Sequence, residues 1–285
     1  MVATGLCFVA VTGVVKHAAQ DLPAAQAAFL RYLLGLVFVL PVLRPLLRLR
    51  PGRRDAGLFA LRAAVHTVAV TLWFYAMTQI SLAEVTAMNY LAPVYVTLGA
   101  ALFLGERLAL RRAVAVGAAL LGAVVILRPG FREVSAGHVA MIGTALFMGA
   151  SYLIAKHLSG RHPAMVVVSL LSVGVTIGLA PLAALDWVRP TAVDVAWMAL
   201  VAALATGGHY AMTRAFEAAP VAVTQPVTFL QLVWAVLVGW AAFGEPPDGW
   251  VVLGGTIILG AVSFIAWRES RLRRSVTPQS NALKP

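Results

Sequence analysis

The chain has 285 residues, 61% of them hydrophobic and 12% charged, with 22 Lys and Arg against 11 Asp and Glu. A soluble domain of this size carries about twice that charged fraction, so the composition excludes a water-soluble globule and points to a bilayer as solvent. The formal net charge of +11 does not signal nucleic acid, because the basic residues lie between apolar blocks rather than in one patch.

About twenty apolar residues cross the hydrocarbon as a helix, and ten runs meet or approach that length. The first, 1–16, is short, carries the single cysteine Cys7, and has no basic leader that would mark a cleavable signal peptide. The second, 24–43, lies between Pro23 and Pro41 and holds Arg31. The third, 58–79, holds Arg62, His66 and Trp73, and the fourth, 82–104, holds Glu84, Asn89, Tyr90, Pro93 and Tyr95. The fifth, 110–128, carries Gly117 and Gly122, small residues suited to close helix packing. The sixth, 137–156, holds Tyr152, and the seventh, 164–185, lies between Pro163 and Pro181. The eighth, 193–214, holds His209; the ninth, 220–243, holds Gln225, Pro226, Thr228, Gln231 and Trp234. The tenth, 248–267, repeats the small residues at Gly254, Gly255 and Gly260, and 268–285 is expected to be a basic, disordered cytoplasmic tail.

Charge placement tests this count. With an inside N-terminus and strict alternation, the inner segments hold sixteen Lys and Arg, among them Arg44, Arg48, Arg50, Arg111, Arg112, Arg271 and Arg274. The outer segments hold four: Lys16, Arg128, Arg132 and Arg189. That bias is the one expected of ten spans with both termini cytoplasmic in a bacterial inner membrane.

The sequence also repeats itself. Lys16, His17 and Pro23 recur as Lys156, His157 and Pro163, each 140 positions later. The tetrad Tyr75–Thr78 recurs as Tyr210–Thr213, Gly105-Glu106 as Gly244-Glu245, and Gly122-Ala-Val as Gly260-Ala-Val. These landmarks divide the chain into a first five-helix repeat at 1–130 and a second at 131–267. Because five is odd, the second half enters the membrane from the opposite side, an inverted-topology repeat of the kind from which secondary transporters are built. The expected fold is therefore an all-α integral membrane protein of ten transmembrane helices.

The stretch MNYLAPVYVTLGAALFLGERLALRRAVAVGAALLGAVVIL, its partner QPVTFLQLVWAVLVGWAAFGEPPDGWVVLGGTIILGAVSFIA, and the Arg in AAFLRYLLG resemble the EamA family of the drug/metabolite transporter superfamily. The resemblance covers nearly the whole chain. It implies a central cavity lined mainly by spans 1, 3, 4, 6, 8 and 9, and inner-membrane transport of small organic metabolites.

Polar groups inside spans are costly and each needs an account. Arg31 would either hold a substrate carboxylate or act structurally, snorkelling outward or pairing with Glu84. The structural reading is favoured, because the family carries an Arg here whatever the substrate. His66 and His209 would either bind substrate and titrate near neutral pH or join helices by hydrogen bonds. Asn89, Tyr90, Pro93, Gln225, Thr228, Gln231 and Trp234, with Trp73 and Tyr152, are expected as a group to line the cavity; the alternative for each is ordinary packing. Glu106 and Glu245, beside glycines at helix exits, read as structural.

No P-loop, HExxH or Cys/His cluster occurs, so neither a cofactor nor a metal is expected, and ATP does not drive the chain directly. The expected activity is alternating-access transport of a small metabolite, first an amino-acid-like compound for export, alternatively a nutrient or cofactor for uptake. An intramembrane enzyme or a non-transporting scaffold is the rival class, and the chain is read as a monomer in contact with lipid and a small-molecule substrate, not as an enzyme.

Overall fold

The computed structural model describes residues 1–18, 22–42, 51–103, 110–131, 133–218, 227 and 229–276. Among them the regular elements are all helical: α1 (Val2–Ala18), α2 (Ala24–Gly35) with a 3-10 continuation Leu36–Val42, α3 (Arg53–Gln79), α4 (Leu82–Asn89), α5 (Ala92–Phe103), α6 (Leu110–Leu127), α7 (Ala136–Ser159), α8 (Ala164–Leu185), α9 (Ala192–Ala218), α10 (Phe229–Phe243) and α11 (Gly249–Val276). Seven helical stretches are long and apolar enough to cross a membrane, with α4 and α5 forming one of them; α1, α2 and α10 are shorter apolar helices.

Local chemistry accounts for the boundaries. Pro23 and Pro163, partners in the sequence repeat, take nearly the same backbone angles before α2 and α8 (φ −52°, ψ 137° and φ −55°, ψ 139°). Proline suits a helix start because the first N–H groups lack intrahelical acceptors anyway. The α4–α5 break falls at Tyr90 and Leu91, ahead of Pro93, which supplies no N–H and disfavours helical backbone just before it. The helix α4 opens with a capping box: Ser81 Oγ accepts from Glu84 N at 3.2 Å, and Glu84 Oε2 accepts from Ser81 N at 2.9 Å. At the other end of the chain α11 runs through Arg268 to Val276, where the sequence had suggested the start of a disordered tail; Arg, Glu and Leu are good helix formers and extend the preceding span.

The packing directions are readable from close contacts. Along α3 and α7, a Cβ on Gly137 would meet Gln79, one on Gly143 would meet Leu72, and Asp55 binds Arg161, so these helices run antiparallel along their length. The same holds for α1 and α9, through Phe8–His209 and His17–Trp197, and for α6 and α11, through Gly122–Gly254 and the Arg128–Asp248 ion pair. In contrast α3 and α8 run parallel, with Ala63 against Gly174 and Thr67 against Gly178, as do α1 and α10, with Gly5 against Gln231 and Lys16 against Glu245. Each direction is that of a chain crossing alternately.

Number the helical bodies in chain order from 1 to 10, with α4 and α5 together as the fourth. The pairings 3–6, 3–7 and 4–6 become 8–1, 8–2 and 9–1 when each body is exchanged for the one five places away, and those pairings are also present. The pairings 2–7, 4–9 and 5–10 map onto themselves.

Candidate functional site

The interior holds a polar cluster centred on His66, midway along α3. Its Nε2 lies 3.2 Å from the Tyr32 hydroxyl on α2 and its Nδ1 lies 3.0 Å from the Ser151 hydroxyl on α7. All three residues are buried. A neutral imidazole serves both partners, one nitrogen donating and the other accepting.

Two guanidinium groups flank this cluster. Arg62, one helical turn before His66 on α3, is only 5% exposed; it donates from Nη1 to the Val167 carbonyl at 2.8 Å, while its Nε has no hydrogen-bond partner. Arg31 places its guanidinium carbon 4.0 Å from the centre of the Tyr32 ring, a cation–π contact. Both cations are close enough to act on His66 electrostatically, as is His209.

Tyr152 and His209 combine exposed surface with deep placement. Tyr152 is 44% exposed, yet the protein surrounding it has the depth of an interior position. His209 is likewise exposed while enclosed, with Phe8 edge-on at 5.1 Å. Two indole N–H groups, on Trp73 and Trp234, are buried without a hydrogen-bond partner. Buried donors left unpaired are uncommon, and each costs about 1–3 kcal/mol.

The remaining sequence candidates fall in different places. Glu84 is not a partner of Arg31: its Oε1 faces His138 Nε2 at 3.1 Å, and its Oε2 holds the Ser81 amide and hydroxyl. Because the Ser135 N–H donates to His138 Nδ1, the proton of a neutral His138 sits on Nε2 and is donated to Glu84. Asn89 and Tyr90 are half-buried at the end of α4, beside the break, and Pro93 is exposed. The half-buried Gln231 carries its Cβ against α1 at Gly5, and Trp234 packs on the cluster formed by Val9, Leu82 and Ala235. Gln225 and Thr228, and with them Pro226 and Glu106, lie outside the described residues. Among the described residues no group of three His, Cys, Asp or Glu could hold a metal.

Sequence reasoning had no account of Arg62, Tyr32, Ser151 or His138. A buried Arg in an apolar helix was the available signal for the first. The others depend on contacts between residues 34, 85 and 54 positions apart, which no local pattern encodes.

A multi-pass helical membrane protein with a polar interior of this kind belongs to the class that handles solutes within the bilayer. The chain belongs to the EamA-like transporter family, whose family model matches twice, over residues 1–128 and 135–267. It is therefore a transporter and not an enzyme. It is 30% identical to a riboflavin transporter of Vibrio cholerae over 96% of this chain and 94% of that one. It is 32% identical to a riboflavin transporter of Rhizobium johnstonii over 96% and 92%. Identity to a pseudopaline exporter of Pseudomonas aeruginosa is 27%, over 89% and 90%. A solved crystal structure shares the fold with a TM-score of 0.56 at 16% identity, covering 94% of this chain and 97% of that one.

Proposed function

We propose that this protein is a secondary transporter that carries a small organic metabolite across the bacterial inner membrane by alternating access. In this reading ten spans form two inverted five-helix repeats, 1–130 and 131–267, with both termini cytoplasmic. The observation that carries it is the part of the helix pairing shared by the two halves: 3–6, 3–7 and 4–6 have the counterparts 8–1, 8–2 and 9–1, and 2–7, 4–9 and 5–10 map onto themselves. Two similar halves related in this way can trade conformations, so that one arrangement opens the interior to one side and the exchanged arrangement opens it to the other. The alternating helix directions and the double family match support the same reading.

The cavity of this transporter lies around His66, Tyr152 and His209, with Trp73, Trp234, Asn89, Tyr90 and Gln231 as further wall residues and Gln225 and Thr228 assigned there from sequence. The free indole N–H groups of Trp73 and Trp234 suit a ligand rich in carbonyl or ring-nitrogen acceptors. Together with the two riboflavin-transporting relatives, this favours uptake of a nutrient or cofactor-like heteroaromatic compound, riboflavin being the first to test, over export of an amino-acid-like compound. Expression in a bacterial strain that requires external riboflavin and lacks an importer tests this. Growth at low riboflavin supports the substrate, and growth no better than an empty-vector control removes it.

A further inference from the structure

Resting on the transport reading but not on riboflavin as the substrate, we infer that Arg62 and Arg31 form an anion-binding site beside the His66 cluster; it takes a carboxylate or phosphate, which riboflavin lacks and which reaches the site as a separate anion or as part of a charged substrate. A guanidinium buried away from water is strongly destabilising unless an anion compensates its charge. Arg62 is 5% exposed, spends one N–H on the Val167 carbonyl and leaves Nε unpaired. A carbonyl satisfies a donor but neutralises no charge. Arg31 rests on the face of Tyr32, an arrangement that leaves the edge of the guanidinium, where its N–H donors lie, clear of the ring.

Five acidic residues among the described ones are engaged elsewhere. Asp55 binds Arg161 and His162, Glu84 binds His138, Glu245 binds Lys16, Asp248 binds Arg128, and Asp194 accepts from Thr191. Among the described residues no carboxylate forms an ion pair with either Arg31 or Arg62. Two cations thus act on one neutral chain, Tyr32–His66–Ser151, with no carboxylate paired to either among the described residues. The hydroxyls and imidazole of that chain supply neutral hydrogen bonds beside the cations, the combination that holds an oxyanion by charge and direction together. The arginines were present in the sequence, but the lack of a carboxylate around them was not.

The test is anion binding by the purified full-length protein in a neutral detergent. Phosphate and acetate are titrated separately at constant ionic strength made up with sodium chloride, and Tm is read for wild type, Arg62→Gln and Arg31→Gln. A ligand that binds only the folded state raises Tm with the logarithm of its concentration above Kd, by roughly 5 °C at one hundred times its Kd. The expected result is such a rise with at least one anion in wild type, with Kd at least about tenfold weaker in both variants; the anion that gives it names phosphate or carboxylate. Should Arg62→Gln fail to fold, Arg31→Gln decides, because Arg31 rests on the Tyr32 ring and makes no ion pair among the described residues. No such rise with either anion, or the same rise in the variants, overturns the site. The assay involves no flux. Transport without anion binding therefore removes this inference alone, and anion binding without transport removes the function alone.

Discussion

Lys16 Nζ lies 2.5 Å from Glu245 Oε1, and the other oxygen of that carboxylate accepts the Leu82 N–H at 3.0 Å. Lys16 also donates to the Ile80 carbonyl at 2.6 Å. The last turn of α1, the α3–α4 junction and the turn between α10 and α11 are thereby tied at one end of the bundle. Both side chains are mostly buried, at 15% and 17% exposed, so breaking the pair leaves a charge poorly solvated. Glu245→Gln and Lys16→Met should each destabilise the protein by about 2 kcal/mol, and the double variant by less than the sum. Thermal unfolding of the four proteins in detergent measures that coupling; full additivity would show that the contact contributes nothing.

A second prediction concerns the α6–α11 seam. A Cβ on Gly254 would lie 2.5 Å from the Gly122 carbonyl oxygen, and one on Gly122 would lie 2.7 Å from that of Gly254. Backbone cannot step aside as a side chain can. Gly254→Ala should cost about 1–3 kcal/mol through overpacking. Gly117, on the same α6, meets nothing within 4 Å, so Gly117→Ala should be neutral or raise stability by about 0.5–1 kcal/mol through helix propensity. Comparing their melting temperatures checks both.

The buried Glu84–His138 contact gives a third. His138→Ala removes the partner of Glu84 Oε1 and an acceptor for the Ser135 N–H, a loss of about 2 kcal/mol. Glu84→Gln keeps an acceptor for Ser81 and should cost less. The order of the two Tm values, His138→Ala below Glu84→Gln, is the outcome to look for.

Tyr32→Phe tests the cluster around His66. It removes only the hydroxyl 3.2 Å from Nε2 and keeps the ring that carries Arg31. One lost hydrogen bond is worth about 1 kcal/mol, so transport kcat/KM should fall roughly fivefold to tenfold while the protein remains folded. His66→Phe loses both partners and should fall further. Unchanged transport by both variants would place the cluster outside the substrate path.

The helices of this fold were largely legible in the sequence because hydrophobic length alone fixes where a chain can span. The break between Asn89 and Ala92 was not read: 82–104 stood as one span, and Pro93, which carried the signal, was assigned to the cavity. The Pro23 and Pro163 signals marked two helix starts that share their backbone angles. The site was less legible. His66, Tyr152 and His209 stood out as polar or aromatic groups in apolar runs, but Tyr32 and Ser151 looked like ordinary helix residues until α2 and α7 brought them to His66. Arg31 and Glu84 looked like natural partners by charge; the capping box at Ser81 and the approach of His138 hold Glu84 elsewhere. The continuation of α11 beyond Arg268 was hidden by its charge, since a basic stretch reads equally as a solvated helix or a tail.

Transport is the central claim, and counterflow tests it most directly. Purified protein is reconstituted into liposomes preloaded with unlabelled riboflavin, and uptake of labelled riboflavin is followed against protein-free vesicles, with a panel of anionic and amino-acid-like metabolites in parallel. Alternating access predicts transient, saturable accumulation of label for at least one compound, lost when the matching preload is omitted. Accumulation that ignores the preload, or no accumulation of any compound by protein shown to be folded, would contradict it.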